Sequence, residues 1–331
     1  MNSSRYPVVR GFASFLAGIS VLMVASACNP FGLPATHALE GGAEGMLNSA
    51  RSFEITGRYA AGGSLWKVDL QLVRPATRHI VITTSNGESV EAIIVGSDGY
   101  FRGKEFLARH LGDNPLTPSL VNAAGSGWWK DQTALVPALP DFTSGAAFRA
   151  TFLGSAATNR TDHQSVGGLD AVELSGPRAD VYIASAPPFR LLRVHLRIGA
   201  TVDGIQDADL QYSNVDKDFN LVAPTDVIDF ANLSTLPPIY TVVSIDTSAC
   251  ASPCVVSAKL KNLGGTAAAR APSTVEFTMS DPVSGGSIGT CAATVQPDVG
   301  YNATTSVSCT MSAAVVNAAV VTATANNPGR G

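Results

Sequence analysis

The sequence predicts a mainly β protein with some α: a large antiparallel sheet, dry on one face and covered there by short helices, followed by a small β-sandwich. Three observations carry the prediction. Hydrophobic residues recur with a period of two over most of residues 53–233, residues 104–154 change to spacings of three and four, and beyond residue 238 the composition shifts to Ala, Thr, Ser and Val with almost no charge.

At the amino end, Arg5 and Arg10 precede an apolar run from Gly11 to Val24 that closes on Ala25-Ser26-Ala27-Cys28. A charged start, an apolar centre and a small-residue cleavage site form a secretory signal, here residues 1–27. The run is shorter than the ~20 residues a membrane-spanning helix needs, and no later stretch replaces it. Two cleavage readings compete. Ala25-Ser26-Ala27 also suits ordinary signal peptidase, which would leave Cys28 free, and Ala25 stands where a bacterial lipobox usually carries Leu. The cysteine count favours acylation at Cys28: setting it aside from the five leaves Cys250, Cys254, Cys291 and Cys309, an even set that reads as two disulfides in an oxidising compartment. Acyl chains such as palmitate on Cys28 would anchor an extracytoplasmic lipoprotein to the cytoplasmic membrane. Residues 28–44, rich in Pro, Gly and Ala, read as a flexible tether.

In the sheet region, Trp66, Val68, Leu70 and Leu72 alternate with Lys67, Asp69 and Gln71. The pattern recurs at Ile80 and Ile82, at Val90, Ala92 and Ile94, and at Leu192, Val194, Leu196 and Ile198, as expected of strands with one dry face. Asn86-Gly87, Asp98-Gly99 and Asp203-Gly204 mark turns between them. Phe106, Leu107 and Leu111, then Phe142, Phe148 and Phe152, predict short helices broken by Pro115, Pro118, Pro137 and Pro140, placed to cover the dry face.

Thr235-Leu236-Pro237-Pro238 reads as a linker. Short strands then follow at regular spacing, from Val255–Lys261 to Val315–Ala325, in a sandwich small enough to need staples. Four cysteines allow three pairings; Cys250 with Cys254, and Cys291 with Cys309, are favoured.

Lys and Arg total 22 against 26 Asp and Glu, with no basic stripe, which argues against a nucleic-acid partner. No enzyme is expected. Gly285-Gly286-Ser287-Ile288-Gly289 has the spacing of a nucleophile elbow but lies in a predicted β-sandwich hairpin with no nearby His. The five histidines, His37, His79, His110, His163 and His195, stand singly, and Asp203, Asp207, Asp209, Asp216 and Asp218 lack a calcium-loop spacing, so neither metal nor cofactor is expected. The triplets at Asn159, Asn232 and Asn302 are read as chance.

Several stretches carry a family resemblance: Val95-Gly96-Ser97-Asp98-Gly99-Tyr100-Phe101-Arg102-Gly103, Gly127-Trp128-Trp129, Gly168–Leu174, Pro187–Val194 and Pro224–Asp229. In these, residues 45–235 resemble the LolA-like superfamily, in particular the LppX/LprG branch of acylated lipoproteins. The resemblance implies an unclosed β-barrel, or half-barrel, wrapped around helices, with an apolar cavity for the acyl chains of a lipid or lipoprotein. Residues 240–331 lie outside it; there Lys261-Asn262-Leu263-Gly264-Gly265-Thr266-Ala267 resembles the strand and turn of CARDB-type immunoglobulin-like modules, which serve as spacers or adhesion units. That implies a possible protein or wall partner.

On the residues alone, the dry face is filled either by the protein's own helices or by a ligand, because packed interiors leave few voids. The resemblance favours the ligand. Its cavity is then expected to be lined by Trp66, Val68, Leu70, Leu72, Ile80, Ile82, Val90, Ile94, Phe106, Phe148, Phe152, Leu192, Val194, Leu196 and Ile198. The expected function is carriage or sequestration of a lipid or other hydrophobic molecule; the alternative is a structural or adhesion lipoprotein without a ligand.

Overall fold

The computed structural model describes residues 32–155, 159–312 and 319–330. Cys28 and the signal lie outside the described residues. The chain is mainly β, in large antiparallel sheets, none closed into a barrel.

A helix comes first, α1 (Thr36–Ser49), then β1 (Ser52–Ala61), β2 (Ser64–Val73), β3 (Thr77–Thr84), β4 (Ser89–Val95) and β5 (Asp98–Arg102). Helices α2 (Lys104–Leu111) and α3 (Thr117–Ala124), strand β6 (Trp128–Asp131), helix α4 (Pro140–Thr143) and a π-helical turn at Arg149–Leu153 follow. The region closes with β7 (Asn159–Val166), β8 (Leu169–Ser175), β9 (Ala179–Ala184), β10 (Leu191–Leu196), β11 (Gln206–Ser213) and β12 (Val227–Ile228). These strands form one 12-stranded sheet in the order β12-β6-β5-β4-β3-β2-β1-β11-β10-β9-β8-β7, antiparallel except for β12 on β6. Joining β1 to β11 brings the two strand groups together across the helical insertion.

The alternation predicts the faces because strand side chains point to opposite sides in turn. Val68, Leu70, Ile80, Ile82, Val90 and Ile94 turn to one side and are buried. The other side carries charge, with Arg193 gripping Asp209 through Nε at 2.6 Å and Nη2 at 2.8 Å, and His79 against Glu91 at 2.8 Å. The dry side shares one core with Leu39 and Leu47 of α1, Leu107 of α2, and Phe142, Phe148 and Phe152 of the cover. Pro118 and Pro140 lie in the first turns of α3 and α4, where a missing N–H costs nothing.

Two expectations need correction. Residues 36–44 are no tether; they begin α1, whose Leu39, Ala43, Met46 and Leu47 are buried at helical spacing. Gly42 belongs to the packing, since a Cβ there would come within 2.5 Å of the Phe189 Cβ and 2.6 Å of the Pro188 carbonyl. The alternation in β10 also breaks. A bulge between Leu191 and Arg193 lets two residues oppose one on β9. Leu191 therefore enters the main core, and Leu192 packs on the opposite face with Val166 and Ala171.

After Leu236 and Ile239, which are themselves buried in the main core, the chain forms β13 (Tyr240–Asp246), β14 (Cys254–Asn262), β15 (Thr274–Ser280), β16 (Ser287–Thr294), β17 (Thr304–Met311) and β18 (Val320–Asn326). They make two three-stranded sheets, β13-β14-β17 and β16-β15-β18, that share a core of Tyr240, Val256, Leu260, Val275, Phe277 and Met279. The disulfides pair Cys250 with Cys254 and Cys291 with Cys309, and the second joins the two sheets. The Lys261–Ala267 motif is a joint. Fully buried Asn262 accepts hydrogen bonds from the N–H groups of Ile239 (2.9 Å) and Gly264 (3.0 Å) and donates to the carbonyls of Gly265 (2.9 Å) and Val299 (2.6 Å). At Gly264 and Gly265 the linker carbonyls of Pro237 and Ser234 approach so closely that a Cβ would fall 2.1 and 1.8 Å from them.

Candidate ligand cleft

The dry face ends in a cleft of about 410 Å3 where the Gly62 turn, the Asp203-Gly204 turn and the segment before α4 meet. Its floor comes from strand register: Tyr59 of β1 lies opposite Trp66 of β2, and Ile82 of β3 opposite Val90 of β4. The Trp66 indole is held by a hydrogen bond from Nε1 to the Ala61 carbonyl at 3.1 Å, which fixes the ring as a wall. Phe106 from α2 and Leu135, Val136 and Pro137 from the cover form the opposite wall, and Asp203, Gly204 and Ile205 form the rim.

Two polar groups stand in this apolar lining. Tyr59 is 3% exposed, and burial pushes its hydroxyl up to about 12, so it stays protonated. Asp203 sits at the rim on a turn closed by Val202 and Ile205. Burial raises its carboxyl above the usual range, the hydrogen bond from the Asp141 amide opposes that, and the nearby Asp141 charge adds to it. The Asp141 N–H donates to Asp203 Oδ2 at 2.8 Å. The buried Tyr212 hydroxyl donates to the Phe142 carbonyl at 2.9 Å, so two consecutive residues of α4 are fastened, one to the β10–β11 connection and one to β11.

Of the expected lining residues, Trp66, Ile82, Val90 and Phe106 meet at the cleft. Val68, Leu70, Leu72, Ile80, Ile94, Val194 and Leu196 are packed in the core with Phe148 and Phe152. Leu192 faces the other way, and Ile198 is 99% exposed in the turn beyond β10, which ends at Leu196. The dry face is thus largely occupied by the protein's own cover. Sequence reasoning missed Tyr59, Leu135, Val136 and Ile205. Tyr59 was legible as the continuation of Phe53 and Ile55 along β1; Leu135 and Val136 end a three-residue 3-10 helix and Ile205 closes a turn, where no period marks them. Among the described residues no group of three or more His, Cys, Asp or Glu could hold a metal ion, and no helix is long and apolar enough to cross a membrane.

No protein-family model matches the chain, and no curated protein matches it. Among solved structures, MucB in complex with MucA(peri) is 11% identical, covering 83% of this chain and 91% of that one, with a TM-score of 0.26. The MucA/MucB complex of Pseudomonas aeruginosa is 12% identical, covering 84% and 94%, with a TM-score of 0.29. Likeness at this level carries no conclusion about the chain.

Proposed function

We propose that the chain is an exported lipoprotein, anchored through acyl groups on Cys28 at the outer side of the cytoplasmic membrane, that binds and carries or sequesters one hydrophobic tail in the cleft beside Trp66. In this reading residues 45–235, with α1 added, are a LolA-like half-barrel of the LppX/LprG kind. Residues 240–331 are an immunoglobulin-like spacer of CARDB type that sets the cleft's position relative to membrane and wall.

The observation that carries the reading is the cleft itself. Its volume is within the range of small-molecule sites, roughly 300–1,000 Å3. Its walls are Trp, Ile, Val, Phe and Leu, which a hydrocarbon tail contacts without needing polar partners, gaining ~25 cal/mol per Å2 of apolar surface buried. Because Phe148 and Phe152 fill the deeper core, the ligand is a single tail and not a multi-chain lipid.

Native mass spectrometry of the secreted chain carrying Cys28→Ser, purified from a lipid-containing host, tests carriage; a bound lipid is expected. Leu135→Asp, which places a charge in a partly exposed wall, should abolish it, whereas Gln71→Asp on the wet face should not. Recovery of ligand-free protein that also ignores a fluorescent fatty-alcohol probe would sink carriage. Metabolic labelling with a clickable palmitate, lost in Cys28→Ser, tests the anchor separately. The packed core favours one rival, an adhesion or structural lipoprotein, which predicts an empty cleft and a wall or protein partner that requires residues 240–331.

A further inference from the structure

Of the two polar groups of the cleft, Asp203 sets the demand on a ligand's head, because an ionised carboxylate only accepts, whereas the protonated Tyr59 hydroxyl can donate or accept. Tyr59 lines the cleft, and burial alone perturbs its hydroxyl. Asp203 uses part of its carboxylate to accept the Asp141 amide. An ionised carboxylate has about four lone-pair sites, so acceptor capacity remains at the rim. No Lys, Arg or His lines the cleft, and the groups acting on Asp203 include no cation. A carboxylate head placed there would meet a like charge and no counter-charge. A hydroxyl or ammonium head would donate to Asp203 in a charge-assisted hydrogen bond.

We propose that the cleft selects a single-chain amphiphile whose head donates hydrogen bonds, a hydroxyl or an ammonium, with Asp203 as acceptor and Tyr59 as second partner, and that it discriminates against a fatty-acid anion. The proposal rests on the cleft reading above and deepens it by naming the ligand's head. The tail would lie against Trp66, Ile82, Val90 and Phe106, while the head stays at the rim beside Gly204.

The test is calorimetric titration of the full chain carrying Cys28→Ser at about pH 7, with dodecylamine, monododecanoylglycerol and dodecanoate, each below its micelle concentration. Dodecylamine and monododecanoylglycerol are expected to bind at least about tenfold more tightly than dodecanoate. Asp203→Asn keeps an oxygen for the Asp141 amide but removes the charge, and should erase the preference; Asp207→Asn, an exposed carboxylate on β11, should leave it intact. Tyr59→Phe should weaken the monododecanoylglycerol complex and serves as the second variant if Asp203→Asn does not fold. Equal binding of all three probes, or tighter binding of dodecanoate, would overturn head selection while leaving the cleft as a tail site. Binding of none would overturn the cleft reading and this inference with it.

Discussion

The carboxylate of Asp203 holds the main-chain N–H of Asp141 at 2.8 Å, tying the β10–β11 connection to the first turn of α4. A side-chain acceptor at a helix start satisfies a donor that the helix itself leaves free. Asp203→Ala removes it, and loss of such a cap costs about 0.5–2 kcal/mol. Asp203→Asn retains an oxygen and should cost less. Denaturant midpoints of the two variants, with hydrogen exchange over residues 140–153, check this; indistinguishable midpoints would show that the bond contributes nothing to holding the cover.

Phe152 lies between Phe142 and Phe148, with ring centroids at 5.3 and 5.6 Å, and is fully buried. Phe152→Ala leaves a void that these neighbours cannot close without moving, so a loss of about 3–5 kcal/mol is expected. Phe106 is only partly buried at the cleft wall, and Phe106→Ala should lower stability less while weakening ligand uptake more. Unfolding curves and probe binding on the same two proteins separate the roles. The opposite ranking would place the ligand deeper than the cleft.

Much of this arrangement was legible in the sequence where a period exists to be read. Val68, Leu70, Ile80 and Ile82 share a face because strand geometry requires it, and Phe142, Phe148 and Phe152 announced a cover. What escaped were places where one local feature overrode the period. The bulge at Leu192 adds a residue to β10 and reverses the face. The glycines of α1 resembled a tether by composition, although Leu39, Ala43, Met46 and Leu47 keep a helical period, and Gly42 is there to admit the Pro188-Phe189 backbone. The cleft was half legible: its floor comes from strands, but Asp203 and Leu135 to Pro137 reach it through tertiary placement of turns.

Asp69 is on the wet face of β2, yet its Oδ1 is buried without a hydrogen-bond partner among the described residues. Burial, then the like charge of Glu54, holds its carboxyl above the usual 3.8, against a smaller opposing pull from His79. The folded chain therefore binds this proton more tightly than the unfolded chain. Stability falls as pH rises from the ordinary value through the raised one, and the full cost is present above that window. Asp69→Asn should raise the melting temperature at about pH 7 and match the parent at about pH 3. Solvent screening of a part-exposed group keeps the gain at or below about 1 kcal/mol. An equal gain at both pH values would rule out the charge as the cause.

The bond between Cys291 and Cys309 joins β16 to β17 across the two three-stranded sheets, with 18 residues of sequence separation, whereas Cys250 and Cys254 are separated by only 4. The residues around the longer link are small and half-buried, Ala293, Val307, Ala323 and Ala325, so apolar burial there supplies little cohesion. A link that closes a longer loop removes more freedom from the unfolded chain, about 3 kcal/mol for a loop near this size. Replacing Cys291 and Cys309 together by Ala should therefore cost about 3 kcal/mol and loosen β16 against β17 in hydrogen exchange. Replacing Cys250 and Cys254 by Ala should cost clearly less, because so short a loop had little freedom to lose. If the short link proved the costlier to remove, loop entropy would not be the reason this unit carries its cysteines, and the packing of fully buried Cys254 against Val256 and Met311 would be the better explanation.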